Sequence, residues 1–172
     1  MSRSARIAAL PWLLMTALPA PSSAAPVASA VSAQGQAILL RPLTLIKLED
    51  MDFATLTVTT GGTATIDPIS GQMTVSGGLL HLMGTPSPAR YAGAGSKQTV
   101  VNIRIPKQPV LIRRVGGTET LSVSTFTLDG QDKRNLAQQP SFFFAVGARL
   151  TVPAGTVDGV YTGEFDVTVQ YP

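Results

Sequence analysis

The side chains able to do chemistry are few and scattered. There is one histidine, His81, and no cysteine. Thiolate catalysis, disulfides, cysteine-based zinc sites and multi-histidine metal centres are therefore excluded. A general base at His81 would need a nucleophile within hydrogen-bond reach, and no G-x-S-x-G-type elbow supplies one. A surface or partly buried imidazole is the simpler reading. Glu49, Asp50 and Asp52 form one acidic cluster, and Asp129-Gly130-Gln131-Asp132 another. Either offers oxygen ligands of the kind Ca²⁺ takes, but neither has the spacing of a calcium loop, and turn chemistry explains both. Arg113-Arg114 and Lys133-Arg134 read as solvated faces, with anionic surface glycans as the functional alternative. In Phe142-Phe143-Phe144 the middle ring faces away from its neighbours, toward an exposed contact or under a loop. The expectation is a non-enzymatic protein without catalytic residue, cofactor or metal.

The first residues read as an address. Met1–Arg6 carries two arginines and no acid, Ile7–Pro19 is apolar, and Ser22, Ser23, Ala24 and Ala25 are small. This is the order of a secretory signal peptide over residues 1–24. Further cleavage candidates follow Ala30 and Ala33. The apolar run is shorter than the about 20 residues a permanent span needs, and no second such run follows. The expected location is periplasmic, cell-surface or extracellular, with no transmembrane helix after signal removal. Removing Arg3 and Arg6 from the 13 basic residues leaves 11 against 10 acidic ones, a net charge of +1. That argues against nucleic-acid binding, which needs a strongly basic face.

The elements that must position any site read as strands. Charged residues make up 13% of the chain, and Gly (16) and Pro (13) are plentiful, the balance of an all-β chain. Beyond residues 25–36, an extension or linker, one antiparallel β-sandwich or barrel domain is expected over 37–172. Ala37–Lys47 reads as an apolar strand with Pro42 inside it, hence an edge or bend. Phe53–Val58 and Leu79–Met83 read as short strands. Thr63–Asp67 and Gln72–Ser76 flank the turn Pro68-Ile69-Ser70-Gly71 as a hairpin. Gln98–Ile105 and Pro109–Val115 follow. Thr120–Leu128 changes phase between Val123 and Phe126, which predicts a β-bulge near Ser124. Ser141–Val152 puts Phe142, Phe144, Val146, Ala148, Leu150 and Val152 on one face. In the last run Gly159, Tyr161, Gly163, Phe165, Val167, Val169 and Tyr171 alternate with residues that are polar after Val160. Its register is strongly set, because a slip of one residue would bury Glu164 and Asp166.

That last run carries a resemblance. Gly159 is fourteenth from the end and Tyr171 is penultimate, as in chaperone–usher fimbrial subunits. The wording Pro153-Ala154-Gly155 to Gly159, Tyr161-Thr162-Gly163 also resembles spore-coat-protein-U-like domains. It is most similar to a family of small secreted bacterial pilin-like domains of unknown function. Pro42-Leu43-Thr44-Leu45-Ile46 and Asp50-Met51-Asp52-Phe53-Ala54-Thr55-Leu56 resemble that family's opening pattern, with Ala54 where Gly is usual.

The resemblance implies an immunoglobulin-like, pilin-like sandwich that lacks a strand. A periplasmic chaperone or a neighbouring subunit's N-terminal extension would then fill the groove by β-strand addition, and head-to-tail contacts of that kind build filaments. It marks Gly159, Tyr161, Gly163, Phe165, Val167, Val169 and Tyr171 as assembly candidates. Tyr161 and Tyr171 are equally explained as sandwich aromatics, and Gly159 and Gly163 as close-packing positions. Within Ala25–Gln36 the alternating Val27, Ser29, Val31, Ala33 and Gly35 are small plugs. The other function class is a self-contained secreted binding module for a glycan or protein partner.

Overall fold

The computed structural model describes residues 34–172. The predicted signal peptide, its cleavage sites and nearly all of the 25–36 extension lie outside the described residues. Every strand described lies in one compact unit, Ile38–Pro172. That unit is all-β and antiparallel, as expected.

The strand with the clearest alternation becomes the centre. β9 (Ser141–Val152) buries all six of its predicted inward residues, Phe142 to Val152. Along one edge it pairs with β7 (Thr120–Leu128). Its other edge is shared: β4 (Ala89–Ala94) takes the first half and β2 (Thr55–Ile66) the second. β1 (Thr44–Glu49) continues the sheet beyond β4, and β3 (Met73–Met83) beyond β2. β6 (Val110–Arg114) lies beside β7 and is followed by β10 (Tyr161–Thr162). A smaller sheet has the order β11 (Thr168–Gln170), β5 (Val100–Arg104), β8 (Lys133–Asn135).

Two apolar cores result. Tyr91, Val101, Ile103, Leu136, Phe142, Phe144 and Val146 form one, where the small sheet covers the first half of β9. Leu79, Leu121, Val123, Leu150 and Val152 form the other, under the second half.

Several expectations are corrected. Ala37–Lys47 is not one strand: β1 starts at Thr44, and residues before it join no ladder. Pro42 has no N–H to give, and the backbone of Arg41 turns to side chains instead, donating from N to Ser96 Oγ at 2.6 Å and accepting from Tyr171 Oη at 2.9 Å. The four short segments expected across 53–83 are two long strands, β2 and β3. They bend at Gly61-Gly62 opposite Gly77, where the register shifts. Gly61 has φ 83°, a conformation that costs glycine nothing. The hairpin turn is as predicted: Asp67 Oδ1 accepts from Ile69 N, Ser70 N and Ser70 Oγ. The bulge in β7 is also found, between Ser124 and Thr127, with Thr125 at φ 51°. β4 and β8 were not anticipated.

Candidate functional site

The final run keeps its predicted faces at the non-glycine positions but not its continuity, and Gly159 and Gly163 are exposed. Tyr161, Phe165, Val167, Val169 and Tyr171 are partly buried, while the even-numbered residues from Thr162 to Gln170 are exposed. Pairing occurs at its two ends only. Tyr161 and Thr162 pair with β6 in the large sheet, and Thr168–Gln170 pair with β5 in the small one. The two ladders are three residues out of register, so 163–167 bridges between sheets without a ladder. Opposite it lie Val110–Ile112 of β6, which pair with β7 alone, and the β5–β6 connection, where Pro106 and Pro109 have no N–H to donate.

The seven predicted residues therefore divide between the cores. Tyr161 packs on the second core; Phe165, Val167, Val169 and Tyr171 pack on the first. Phe165 lies 5.1 Å from Phe126 between ring centroids, and Phe126 packs against both cores. Gly159 and Gly163 serve close packing within this chain. A Cβ on Gly163 would lie 2.7 Å from Ile112 Cγ2. Gly159, at φ 152°, would bring one 2.7 Å from Arg114 Cδ. Tyr161 Oη donates to Val157 O at 2.7 Å. Tyr171 Oη accepts from Ser96 N at 2.8 Å and donates to Arg41 O, tying the C-terminus to the base of the N-terminal segment.

The feature with room for a partner is beside this run. The small sheet reaches only one half of the large one. Over the second core the interior is open as a groove of about 1110 Å³, between β2 and residues 156–165. Leu121, Val123, Leu150 and Val152 form its floor, and Leu56, Val58, Ile112 and Phe165 line its sides. Both borders offer unused backbone. Thr55–Val58 pairs with β3 on one side and with no described strand on the other; Tyr161 and Thr162 likewise pair only with β6. In the segment preceding β1, Ile38 is 79% exposed and Leu39 95%. The resemblance implies a groove open to strand addition but not its place, and residue patterns read the segment as part of a strand over Ala37–Lys47. A signal for the segment was present in Ile38-Leu39-Leu40, an apolar run cut off by Pro42.

The remaining candidates have structural partners. Glu49 pairs with Arg90 and Asp50 with Lys47, and Asp52 Oδ1 accepts from Ala54 N. Among the described residues no group of three His, Asp or Glu could hold a metal. His81 is exposed, 3.1 Å from Gly84 O. Phe143 is exposed. Arg114 and Arg134 are not free solvated cations. Arg134 pairs with Asp129 at 2.6 Å. Arg114 grips Glu119 through Nε at 2.8 Å and Nη2 at 3.1 Å, beside Gly159.

The Arg114 hydrogen bonds hold the Glu119 carboxyl at about 2. A carboxyl depressed in the folded state contributes stability that is present above its unfolded value, near 4.5, and lost as pH falls through about 2. Melting temperature should therefore drop across that window more steeply in the wild type than in Glu119→Gln. Parallel pH profiles would rule out this pair as a contributor.

A family model described as a domain of unknown function, DUF4402, matches residues 43–171. No curated protein and no solved structure matches the chain.

Proposed function

We propose that this chain, which belongs to the DUF4402 family of domains of unknown function, is an exported, non-enzymatic, pilin-like subunit that assembles by β-strand addition at the cell surface. The carrying observation is the groove over the second core. It has an apolar floor and unused backbone at both borders, which is what an added strand requires: main-chain donors and acceptors on either side, and pockets for alternate side chains. Left open it would be an aggregation hazard. The donor is Ile38–Leu40 of a neighbouring copy, extended by the residues before it. A periplasmic chaperone would hold the same groove before assembly.

Sedimentation velocity on the chain beginning at Gln34 tests this. Association that grows with protein concentration is expected, with the Thr55–Val58 amides protected from hydrogen exchange in the assembled species only. A monomer at every concentration, with those amides equally protected throughout, would overturn it.

A further inference from the structure

The outer face of the large sheet, opposite the groove, has a composition that solvation alone does not demand. Residues directly opposite in antiparallel strands point to the same side, so the register defines rows across that face. One row is Ser76, Thr63, Thr151, Ser122 and Leu111, on β3, β2, β9, β7 and β6. The next is Thr74, Thr65, Arg149 and Ser124. On the other side lie Thr120, Arg113 and Thr162. Nine positions carry hydroxyls, two carry guanidinium groups and none carries a carboxylate.

Both arginines are free in charge. Arg90, Arg114 and Arg134 are ion-paired, whereas Arg113 and Arg149 have no carboxylate within 4.0 Å among the described residues. Arg149 Nε donates to Thr65 Oγ1 at 3.3 Å, which fixes the fork and leaves its outer nitrogens available. A shallow hollow of about 460 Å³ opens over this part of the face, lined by Thr63, Thr65, Thr74, Ser76, Thr127 and Arg149. Asp67 also lines the hollow; the hairpin turn holds its Oδ1 and keeps it charged, so a carboxylate in the hollow must sit on the Arg149 side.

We propose that this face binds an extended carboxylated polysaccharide, a polyuronate. Guanidinium forks match carboxylates bidentately, and Ser and Thr hydroxyls donate to and accept from sugar hydroxyls. Within a row, neighbouring side chains sit on adjacent strands about 4.8 Å apart, close to the advance per sugar in an extended polymer, and successive rows are about 6.8 Å apart along the strands. From the register Arg113 and Arg149 are roughly 16 Å apart, so one chain of several sugars reaches both and a monosaccharide does not. The surface stands independently of what fills the groove.

The test is calorimetric titration of the folded chain with polygalacturonate oligomers at about 0.15 M ionic strength. The oligomer binds; galacturonate monomer and fully methyl-esterified oligomer bind at least about tenfold more weakly, because each loses charge-assisted contacts. Arg149→Gln and Arg113→Gln each weaken binding by about five- to tenfold, and Thr151→Val by a smaller factor. Lys107→Gln, off this face, changes it less than twofold, on the order expected for a distant surface charge. Unchanged melting temperatures show that the variants fold. No binding by the wild type, equal binding by the Arg113→Gln/Arg149→Gln double variant, or losses at Lys107 matching those at the two arginines would overturn the proposal. The last result would mean diffuse attraction of any polyanion.

Discussion

Phe144→Ala is expected to destabilise the fold by about 3–5 kcal/mol. Phe144 is 2% exposed in the first half of β9. Its ring stacks on Tyr91 at 5.1 Å and 13°, and it lies 6.2 Å from Phe142 at 12°. Truncation removes the middle of that stack and leaves a void on the inner face of the sheet, in the core shared with Val101, Ile103 and Leu136. The whole stability of a domain is about 5–15 kcal/mol, and this chain has no cysteine with which to staple the unfolded state. Urea unfolding of both proteins measures the difference. Phe143→Ala provides the contrast: the same residue type one position away points to solvent, so its loss falls within about 0.5 kcal/mol. A loss under about 1 kcal/mol at Phe144 would mean that the core is not organised around β9.

The same alternation made β9 legible from residue types alone. Where a strand has one apolar and one polar face, period-two reading found it, as in β5, β7 and the odd-numbered face of 161–171. It failed where side chains stopped reporting. β4 reads Ala-Arg-Tyr-Ala-Gly-Ala, too small to register as apolar alternation, yet Phe142 needs that smallness: a Cβ on Gly93 would come within 2.3 Å of its ring. β2 and β3 were cut into four because glycine pairs usually end strands. Here they bend strands that go on, and the bent arm, Thr55–Val58 with Leu79–Met83, becomes one border of the groove. The break at 163–167 was invisible for another reason. It depends on the two ends pairing with different strands, β6 in one sheet and β5 in the other, and a strand's own sequence does not reveal its partners. The groove is further removed still, because it arises from the short reach of the small sheet. The outer-face rows likewise exist only once five registers are known.

Substituting Ile38 and Leu40 together by Asp is expected to abolish assembly while leaving the monomer folded. In an added strand, alternate residues face the core, so Ile38 and Leu40 share one face and Leu39 takes the other. Burying each of the two in the groove contributes about 1.5–3 kcal/mol. Losing both costs the association about 3–6 kcal/mol, on the order of a hundredfold to ten-thousandfold in dissociation constant. The carboxylates add to the loss, since the groove floor of Leu121, Val123, Leu150 and Val152 gives them no partner. The monomer should be indifferent, because Ile38 and Leu40 are 79% and 45% exposed. The anchor at Arg41 is also untouched: its bonds to Ser96 and Tyr171 use only the Arg41 backbone. Leu39→Asp is the control, since a side chain on the wet face should change assembly by less than about threefold. Sedimentation velocity of the three proteins, with melting temperature as the check on folding, reads the result. Full assembly by the double variant would rule out this segment as the donor. A loss at Leu39 as large as that of the pair would mean that the strand enters by its other face, with Leu39 in the groove.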